Sequence, residues 1–533
     1  MPTDCISFKE TGYFSRLICD YLDEKEHLKP FYHRFPKLEN FKAQIEEKQA
    51  EFTAEKREIL VSSLQAQYKE IQISTATKSH LNNLLSDSTF TVTTGHQLNI
   101  FTGPLYFLYK IVSTINLTKK LKEKYAEYDF VPVYWMATED HDFEEINYFN
   151  FNGKKFQWNK ASSGAVGELS TNGLEEVYEL FAQEIGLGKA ANELKELFKS
   201  AYLNHNNLTD ATRFLVNELF GEYGLVIVDG NDKALKTIFK PYMEDDIFKQ
   251  TSSEKVLATS EALNALPQHY KIQVNPREIN LFYLDTNIRE RIIEKDGHFF
   301  VNETDISWSA SELKTMLENS PEKFSPNVIM RPLYQEVILP NICYIGGGGE
   351  LAYWLELKSF FESVSVTFPM LLLRNSVLMI DEKQEEKLQK LHISHQQLFL
   401  KRDEFINRKV REISDIDIDF SLQKKYLQEQ FENLYTLAEQ TDKSFLGAVK
   451  AQEVKQLKGL EHLEKRLLKA QKKKLADHVT RITDLQNELF PQQSLQERNL
   501  NFSAPFLAHG KQFVAILLKE LDPLHQEFAI LVL

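Results

Sequence analysis

The chain has 533 residues, of which 42% are hydrophobic and 26% are charged, so it can bury a large core and more than one domain is expected. Its net charge of −14 disfavours nucleic acid as the main partner, because binding phosphate requires a basic surface. Three scattered cysteines without a C-x-x-C pair argue against a disulfide framework and indicate a cytoplasmic location, and no apolar run is long enough to span a membrane.

The first half of the chain predicts strands that alternate with helices. A helical stretch over 38–85 precedes the β-branched strand T-F-T-V-T-T, and the T-G-H-Q turn at 94–97 leads into an apolar helix that opens at Pro104. A second strand, F-V-P-V-Y-W-M-A, ends in the acidic segment T-E-D-H-D. The buried strand G-L-V-I-V-D-G at 224–230 follows a mostly helical insertion at about 150–223.

A second insertion, at about 231–325, contains a small strand-rich part between 265 and 303. After it, I-C-Y-I-G-G-G-G-E predicts a strand, a glycine turn and a helix, and F-P-M-L-L-L-R-N-S predicts a final buried strand. Strands that alternate with helices favour an α/β fold with a largely parallel, doubly wound sheet. Residues 1–379 are therefore predicted to form one core that carries both insertions.

From 380 to 490 the composition changes to glutamate, lysine, glutamine and leucine. Apolar residues recur at spacings of three and four from Val454 to Leu489, which predicts a coiled-coil seam and a homodimer held partly by these helices. The lysine cluster at 469–474 is interpreted as a solvated helix face rather than an anion site. The tail, 491–533, contains the strand-like runs F-V-A-I-L-L and F-A-I-L-V-L and is predicted to return to the core.

The T-G-H-Q segment is the first candidate ligand site. Gly95 lets the backbone approach a ligand, and a helix that starts just after it would aim free N–H groups at an anion such as phosphate. His96 at this place can donate to a phosphate or to charge that develops on it. The alternative is a tight turn with a half-buried histidine. We expect the site to be lined by Thr94, Gly95, His96 and Gln97.

The second candidate is the run Glu139, Asp140, His141 and Asp142, which directly follows a buried strand. The carboxyl ends of parallel strands are where doubly wound sheets bind ligands. These side chains can bind a substrate ammonium, act as a general base or hold magnesium. The alternative is a solvated acidic loop or a helix cap.

Two further motifs predict contacts with substrate. Four glycines at 346–349 permit positive φ and predict an anion-cradling turn, although no Lys-Ser/Thr follows to make a Walker loop. Because Glu350 would itself occupy the positive helix end, we favour recognition of an amine or sugar hydroxyl by Gly347, Gly348 and Glu350, with close packing as the alternative. Arg331 can hold a carboxylate with two hydrogen bonds or form a surface ion pair.

The motifs together resemble the BshC family, cysteine ligases of bacillithiol biosynthesis. They are T-G-H-Q followed by T-G-P-L-Y, E-D-H-D-F-x-E-I-N, S-P-N-V-x-x-R-P-L-Y-Q-E, Y-I-G-G-G-G-E-L-A-Y-W and L-Q-E-R, in this order from about residue 10 to the C-terminus. The resemblance implies a Rossmann-like core similar to class I aminoacyl-tRNA synthetases, with insertions and an α-helical coiled coil that helps to form a dimer. The implied reaction joins the carboxylate of cysteine to the amine of glucosaminyl-malate in the last step of the pathway.

Forming that amide from a free carboxylate requires activation, which implies a nucleotide such as ATP or ADP as cofactor. By the resemblance, Gly95 and His96 occupy the last two places of the synthetases' H-x-G-H motif, and Thr93 stands at the first histidine. The K-M-S-K-S signature is absent, and R-N-S at 374–376 only loosely resembles it. The zinc-binding cysteines of the analogous mycothiol ligase have no counterpart, so no metal ligands are predicted.

We therefore predict a cytoplasmic ligase acting on small molecules, with the residues at 94–97 at the nucleotide or acyl-transfer centre. His96 and the Asp140–His141–Asp142 loop would be catalytic, the loop positioning the amine or acting as base. Arg331 would meet the malyl carboxylates, and Glu350 an ammonium or hydroxyl. Two alternatives remain open at this point. One is a metal-dependent hydrolase or transferase centred on the acidic loop, and the other is a non-catalytic, nucleotide-binding coiled-coil protein.

Overall fold

The structure is a computed structural model, and it describes residues 2–533. By its internal contacts the chain divides into two compact units. The first contains Tyr13–Leu378 and Gln496–Leu531 with the N-terminal residues up to Lys9, and the second contains Met379–Leu495 with Glu10–Gly12 and Val532–Leu533.

The strands are, in chain order, β1 Asp4–Ile6, β2 Thr89–His96, β3 Asp129–Met136, β4 Tyr148–Phe151, β5 Lys154–Gln157, β6 Val226–Asp229, β7 Leu281–Asp285, β8 Ile288–Lys295, β9 His298–Val301, β10 Ser307–Ser309, β11 Phe324–Pro326, β12 Asn341–Gly346, β13 Met370–Leu373, β14 Val377–Ile380 and β15 Phe528–Val532.

The α-helices are α1 Phe8–Thr11, α2 Arg16–Leu22, α3 Phe41–Glu51, α4 Ala54–Gln67, α5 Thr75–Asn83, α6 Tyr106–Lys124, α7 Phe143–Ile146, α8 Leu174–Glu184, α9 Lys189–Tyr202, α10 Leu208–Phe220, α11 Lys233–Lys249, α12 Thr251–Asn264, α13 Ala310–Asn319, α14 Met330–Ile338, α15 Gly348–Trp354, α16 Lys358–Ser363, α17 Glu382–Lys390, α18 His395–Leu398, α19 Arg402–Ile413, α20 Ser421–Ala438, α21 Lys443–Lys474, α22 Ala476–Leu489, α23 Gln496–Asn499, α24 Ser503–His509 and α25 Gln512–Glu520. Within residues 2–533, no helix combines the length and the apolar content needed to cross a membrane.

The central sheet of the first unit has five parallel strands in the order β13-β12-β2-β3-β6. Numbered along the chain, this is the strand order of a Rossmann sheet, so the predicted α/β, doubly wound fold is confirmed. β2 pairs with β3 as far as His96↔Met136 and with β12 at Thr94↔Ile345. The chain order reverses between β2 and β12, and ligands bind at the carboxyl ends of the strands at such a switch point.

The two insertions differ in structure. The first contains helices α8, α9 and α10 after the hairpin β4–β5, as expected for a mostly helical segment. The second contains an antiparallel sheet in the order β10-β9-β8-β7-β11. This sheet confirms the strand-rich part predicted between 265 and 303 and extends it to Pro326.

The predicted T-G-H-Q turn is wrong, because β2 continues through His96 and α6 begins only at Tyr106. The intervening loop turns at Phe101, Thr102 and Gly103, whose φ values are 50°, 66° and 59°. Left-handed backbone in non-glycine residues is uncommon and depends on surrounding contacts, so the sequence pattern did not reveal it. No helix N-terminus therefore directly follows His96.

The two strand-like runs of the tail have different structures. F-A-I-L-V-L forms β15, which pairs antiparallel with β1 through Cys5↔Ala529. F-V-A-I-L-L was expected to be a strand but lies in helix α25, where Phe513, Val514 and Leu517 are buried. Spacings of one and four place these residues on one helical face, so a short apolar run was compatible with either structure.

The second unit is helical, and the segment S-D-I-D-I-D-F-S at 414–421 separates α19 from α20. α20 packs against α21 through Phe431, Ala438 and Val449. The C-terminal part of the predicted seam packs inside the unit, where Leu467, Leu468, Leu475 and Val479 contact Ile406, Val410 and Ile418. Its N-terminal part is exposed, with Val454 at 44% and Leu463 at 53% of full exposure.

A buried polar network supports the start of β12. Glu336 is completely buried, and its Oε1 accepts hydrogen bonds from Gln335 at 2.8 Å and Asn341 at 2.7 Å. Asn341 in turn accepts from Thr93 of β2 at 2.8 Å. Burial raises the pKa of Glu336 to about 7, although the nearby Lys48 ammonium opposes this. Folding therefore favours the protonated carboxyl.

Replacing Glu336 with glutamine is expected to change how stability depends on pH. A carboxyl with a raised pKa in the folded state loses stability as pH rises from its usual 4.5 towards about 7, and a shift of this size corresponds to about 3 kcal/mol. The free energy of unfolding of E336Q relative to wild type should therefore increase with pH over this range, as measured by urea denaturation. Glu55→Gln, at an exposed position, is the control. A constant difference at all pH values would contradict the raised pKa.

Candidate active site

A cleft of about 710 Å³ opens at the carboxyl ends of β2, β3 and β12. The inserted antiparallel sheet supplies Arg289 and Arg291 to its wall. The cleft lies at the switch point of the parallel sheet, where ligand binding is expected. Nine of the residues predicted from sequence line it: Gly95, His96, Gln97, Glu139, Asp140, His141, Asp142, Arg331 and Glu350.

Three predicted residues do not line the cleft. Thr94 is completely buried, and its hydroxyl donates to a backbone carbonyl of β12 at 2.8 Å. The backbone N–H of Gly347 donates to Glu350 at 3.1 Å, which caps helix α15. A side chain at Gly348 would face Ile18 of α2. These three residues support the sheet and the helix around the cleft.

The predicted anion cradle at the glycine run is wrong. No glycine of positive φ lies between 346 and 349, and Gly347 has a φ of −77°. A Cβ at Gly346 would come within 3.0 Å of Glu350 and Tyr344, so glycine here permits close packing of β12 against α15. The carboxylate of Glu350 already occupies the positive end of the helix.

A buried ion pair lies at the base of the cleft. Lys110 of α6 donates from Nζ to the carbonyl of Gly95 at 2.7 Å and lies 2.7 Å from Glu350 Oε1. Tyr344 donates to the other carboxylate oxygen at 2.7 Å. Burial alone would raise the pKa of Glu350, but the Lys110 ammonium and these hydrogen bonds hold it below its ordinary value. Glu350 is thus ionised, and its carboxylate is paired with Lys110 at the edge of the cleft.

Arg331 faces the cleft without a carboxylate partner among residues 2–533. Its guanidinium donates to Gln335 at 3.1 Å and to the hydroxyl of Tyr353 at 3.3 Å, and it lies over the ring of Tyr344. These contacts hold the side chain in place but leave donors of the guanidinium for a ligand. The surface ion pair considered from the sequence does not form.

His96 is buried beneath two aromatic rings. Its imidazole stacks on Tyr106 with a centroid distance of 5.3 Å and contacts Phe107 at 5.0 Å. Burial lowers the pKa of His96 well below its usual value, and the positive charges of Lys110 and Arg374 lower it further. The ring is therefore neutral, and its Nε2 has no hydrogen-bond partner in the described structure.

A second buried ion pair supports this stack from the C-terminal segment. Arg374 and Glu497 are 4% and 0% exposed, and the guanidinium lies 2.7 Å from the carboxylate. The same guanidinium lies over the ring of Tyr106, 5.1 Å from its centroid. The L-Q-E-R motif thus contributes Glu497 to the site region, a role that the sequence analysis missed along with that of Lys110.

Gln97 connects two carboxylates across the acidic loop. Its Nε2 donates to Asp140 Oδ2 at 2.8 Å and to Glu145 Oε2 at 2.9 Å. Glu139 points elsewhere and pairs with the buried ammonium of Lys236 at 2.5 Å. The acidic loop therefore presents Asp140 and Glu145 as a close pair of negative charges with no cation between them in the described structure.

Arg289 determines the state of His141. Its Nη1 lies 2.5 Å from His141 Nδ1, its Nε donates to Ser325 at 3.2 Å, and its guanidinium stacks on Phe282. Because a guanidinium can only donate, Nδ1 must accept, so the imidazole is neutral with its proton on Nε2. The guanidinium of Arg289 places a fixed positive charge beside this histidine, which disfavours a divalent metal at the acidic loop.

Replacing Arg289 with methionine is expected to release this tautomer. Without the guanidinium, nothing requires Nδ1 to accept, and both neutral tautomers of His141 should be populated. The measurement is the nitrogen-15 spectrum of the protein labelled at histidine, with His141→Gln to assign the signal. Arg291→Met is the control, because Arg291 lines the same cleft without contacting His141. An unchanged His141 signal in the Arg289→Met protein would refute the assignment.

The chain matches two family models over nearly its whole length. Residues 1–375 match the N-terminal Rossmann-like domain of bacillithiol biosynthesis BshC, and residues 377–533 match the C-terminal coiled-coil domain. A solved structure described as a "putative arginyl t-RNA synthetase" from Campylobacter jejuni covers 83% of this chain and 96% of its own at 9% identity, but its TM-score of 0.21 supports no argument.

Curated relatives cover the chain from end to end. A Christiangramia forsetii protein named "Putative cysteine ligase BshC" is 61% identical over 100% of this chain and 99% of its own length. Proteins of the same name from Cytophaga hutchinsonii and Bacillus cereus are 37% and 26% identical. They cover 97% and 93% of this chain, and 96% and 94% of their own lengths. The chain therefore belongs to the BshC family of bacillithiol biosynthesis.

Proposed function

We propose that the protein is a ligase that joins the carboxylate of cysteine to the amine of glucosaminyl-malate, the last step of bacillithiol biosynthesis. The family description supports the pathway, and the name of the relatives supports a cysteine ligase. All three cysteines are free, which suits the reducing cytoplasm in which we place the reaction.

The observation that carries the proposal is the pair of carboxylates bound to Gln97. Asp140 and Glu145 both accept from one amide nitrogen, which neutralises neither charge. An ammonium group bound between the two carboxylates would relieve the repulsion between their negative charges. One carboxylate can then take a proton from the ammonium, which leaves the neutral amine that an amide-forming reaction requires.

Other groups of the cleft suit the carboxyl substrate. Arg331 has no carboxylate partner among residues 2–533, and we now assign it to a substrate carboxylate in general rather than to malate alone. His96 is neutral, so its unpartnered Nε2 can share one hydrogen bond with the substrate but adds no positive charge. Lys110 holds the Gly95 carbonyl and thereby fixes the end of β2 beside this histidine.

The cleft also fits a nucleotide, which we propose as cofactor in the form of ATP or ADP. Arg277 and Arg291 line it without a carboxylate partner in the described chain, and Nε2 of His96 is unpartnered. These groups would hold an anionic ligand through charge and hydrogen bonds. A bound nucleotide would supply the leaving group that makes the cysteine carboxylate reactive.

Replacing Asp140 with asparagine is expected to impair use of the amine. Loss of one charged hydrogen-bond partner should raise the KM for glucosaminyl-malate about ten- to a hundredfold, while nucleotide affinity is retained. Product formation from cysteine, glucosaminyl-malate and a panel of nucleotides is followed by mass spectrometry, and nucleotide binding by calorimetry. Glu144→Gln is the matched control, since that carboxylate of the same loop is exposed, does not line the cleft and is not bound to Gln97.

Two outcomes would contradict this assignment in different ways. Lost nucleotide affinity with normal dependence on the amine would move the acidic loop to the nucleotide, for example through magnesium. Absence of an amide product from the wild-type protein with every nucleotide tested would refute the proposed ligase itself.

We also propose that the second unit forms a homodimer. Helix α20 exposes Leu422, Tyr426 and Leu437 at 54%, 55% and 56%. Their spacing places them on one face, separate from the face that packs Phe431 and Ala438 against α21. Large apolar side chains exposed on one helix face are typical of an interaction surface, and a second copy of the coiled coil is the partner that we propose.

The double variant Leu422→Glu/Leu437→Glu is expected to convert a dimer into a monomer, because it places charges in the apolar face. Light scattering coupled to size exclusion, over a concentration series, measures the mass. Gln428→Glu, an exposed position on another face of the same helix, controls for added charge. A wild-type protein that stays monomeric at high micromolar concentration would exclude the dimer.

A further inference from the structure

A second cavity of about 270 Å³ adjoins the cleft. The two spaces share Gln97, Tyr106 and Glu145 as a common wall. The cavity is smaller than most sites that enclose a whole ligand, so it suits one part of a substrate whose remainder lies in the cleft. None of the residues that it adds was assigned a function above.

Asn99 supplies an unsatisfied acceptor to this cavity. The side chain is only 7% exposed, and its amide nitrogen donates to the carbonyl of Glu145 at 2.9 Å. Its Oδ1 has no hydrogen-bond partner within residues 2–533. A buried carbonyl oxygen without a partner is unfavourable, so the site requires a donor such as the hydroxyl of a ligand.

Arg498 supplies an unpaired positive charge to the same cavity. The residue follows Glu497, whose buried carboxylate is committed to Arg374, so the backbone at this point is firmly held. Asn150 of the hairpin β4–β5 donates to the carbonyl of Asn499 at 3.3 Å and fixes the other side. Arg498 is exposed and forms no ion pair with a carboxylate in the described chain. Its guanidinium is therefore free to bind a carboxylate from outside.

The cavity thus combines three kinds of group. Glu145, which shares Gln97 with Asp140 of the cleft, lines both spaces, and Asn99 and Arg498 line the cavity alone. These groups suit a molecule that carries an ammonium, hydroxyl groups and a carboxylate. We propose that the cavity binds the acidic, hydroxylated arm of the acceptor amine, with Arg498 as the residue that selects its carboxylate.

This inference rests on the proposed ligase function and assigns the cavity to one of the two substrates, the acceptor amine. Cysteine also carries an ammonium and a carboxylate. Its carboxylate, however, is the group that must react, so it cannot be held in an ion pair inside a side cavity. The acceptor keeps its carboxylates unchanged throughout the reaction, and Arg498 can hold them without blocking chemistry.

The experiment compares two probes that differ only in acidic groups. Glucosaminyl-malate carries the amine, the sugar hydroxyls and the malyl carboxylates, whereas methyl glucosaminide lacks the carboxylates. Calorimetry is expected to show that Arg498→Gln weakens binding of glucosaminyl-malate about ten- to a hundredfold and leaves methyl glucosaminide unaffected. Arg498→Lys should restore part of the affinity. The exposed position allows both variants to fold, which circular dichroism checks.

Arg466→Gln is the matched control, because Arg466 is also exposed and lines neither the cleft nor the cavity. The proposal is overturned if Arg498→Gln weakens the binding of glucosaminyl-malate no more than Arg466→Gln does. It is also overturned if Arg498→Gln weakens the binding of cysteine instead. Binding needs no turnover, so the inference is tested separately from the ligase. If the wild-type protein forms the amide and Arg498→Gln binds glucosaminyl-malate as tightly as the wild type, the subsite alone is refuted. If the wild-type protein neither binds glucosaminyl-malate nor forms the amide, both the subsite and the ligase function are refuted.

Discussion

The ion pair between Lys110 and Glu350 joins the elements that form the cleft. Lys110 lies on α6, the helix after β2, and Glu350 lies on α15, the helix after β12. The Nζ of Lys110 also donates to the carbonyl of Gly95 near the end of β2. These strands flank the reversal of chain order in the parallel sheet. Lys110 is buried, so removal of the Glu350 carboxylate would leave its ammonium uncompensated inside the protein, which is strongly destabilising. The position of His96 and Tyr344 therefore depends on this pair.

A second ion pair connects the C-terminal segment to the same region. Glu497 holds Arg374, Arg374 lies over Tyr106, and Tyr106 stacks on His96. This chain of contacts explains why a segment that follows the helical second unit belongs to the first unit by its contacts. It also makes His96 neutral, since burial and two nearby cations disfavour a third positive charge.

Local patterns were sufficient to predict much of the fold. Runs such as Thr89–Thr94 and the helices that follow them produce the doubly wound sheet through short-range preferences and apolar periodicity. The loop at 97–105 was not predictable, because the left-handed backbone of Phe101 is set by contacts with distant rings. The run in α25 was misassigned for a related reason, since a short apolar segment carries no decisive period.

The residues of the candidate site were also predictable only in part. Position after a buried strand correctly brought His96 and the acidic loop to the cleft, because the carboxyl ends of parallel strands share one edge of the sheet. Lys110, Arg289 and Glu497 escaped notice, since each acts through a partner that is distant in sequence. The pairing of Glu350 with Lys110 was likewise not predictable, because the lysine lies on another helix.

The cleft carries charges of both signs, and this restricts how a substrate can lie in it. The acidic loop after β3 presents Asp140 and Glu145, while Arg291 of the inserted sheet and Arg331 of α14 add positive charge. A zwitterion can bind both kinds of group at once, whereas a cleft with charges of one sign would repel one of its ends. The insertion therefore does more than enlarge the core: its arginines add to the cations of the Rossmann core and help to orient a substrate that carries both signs of charge.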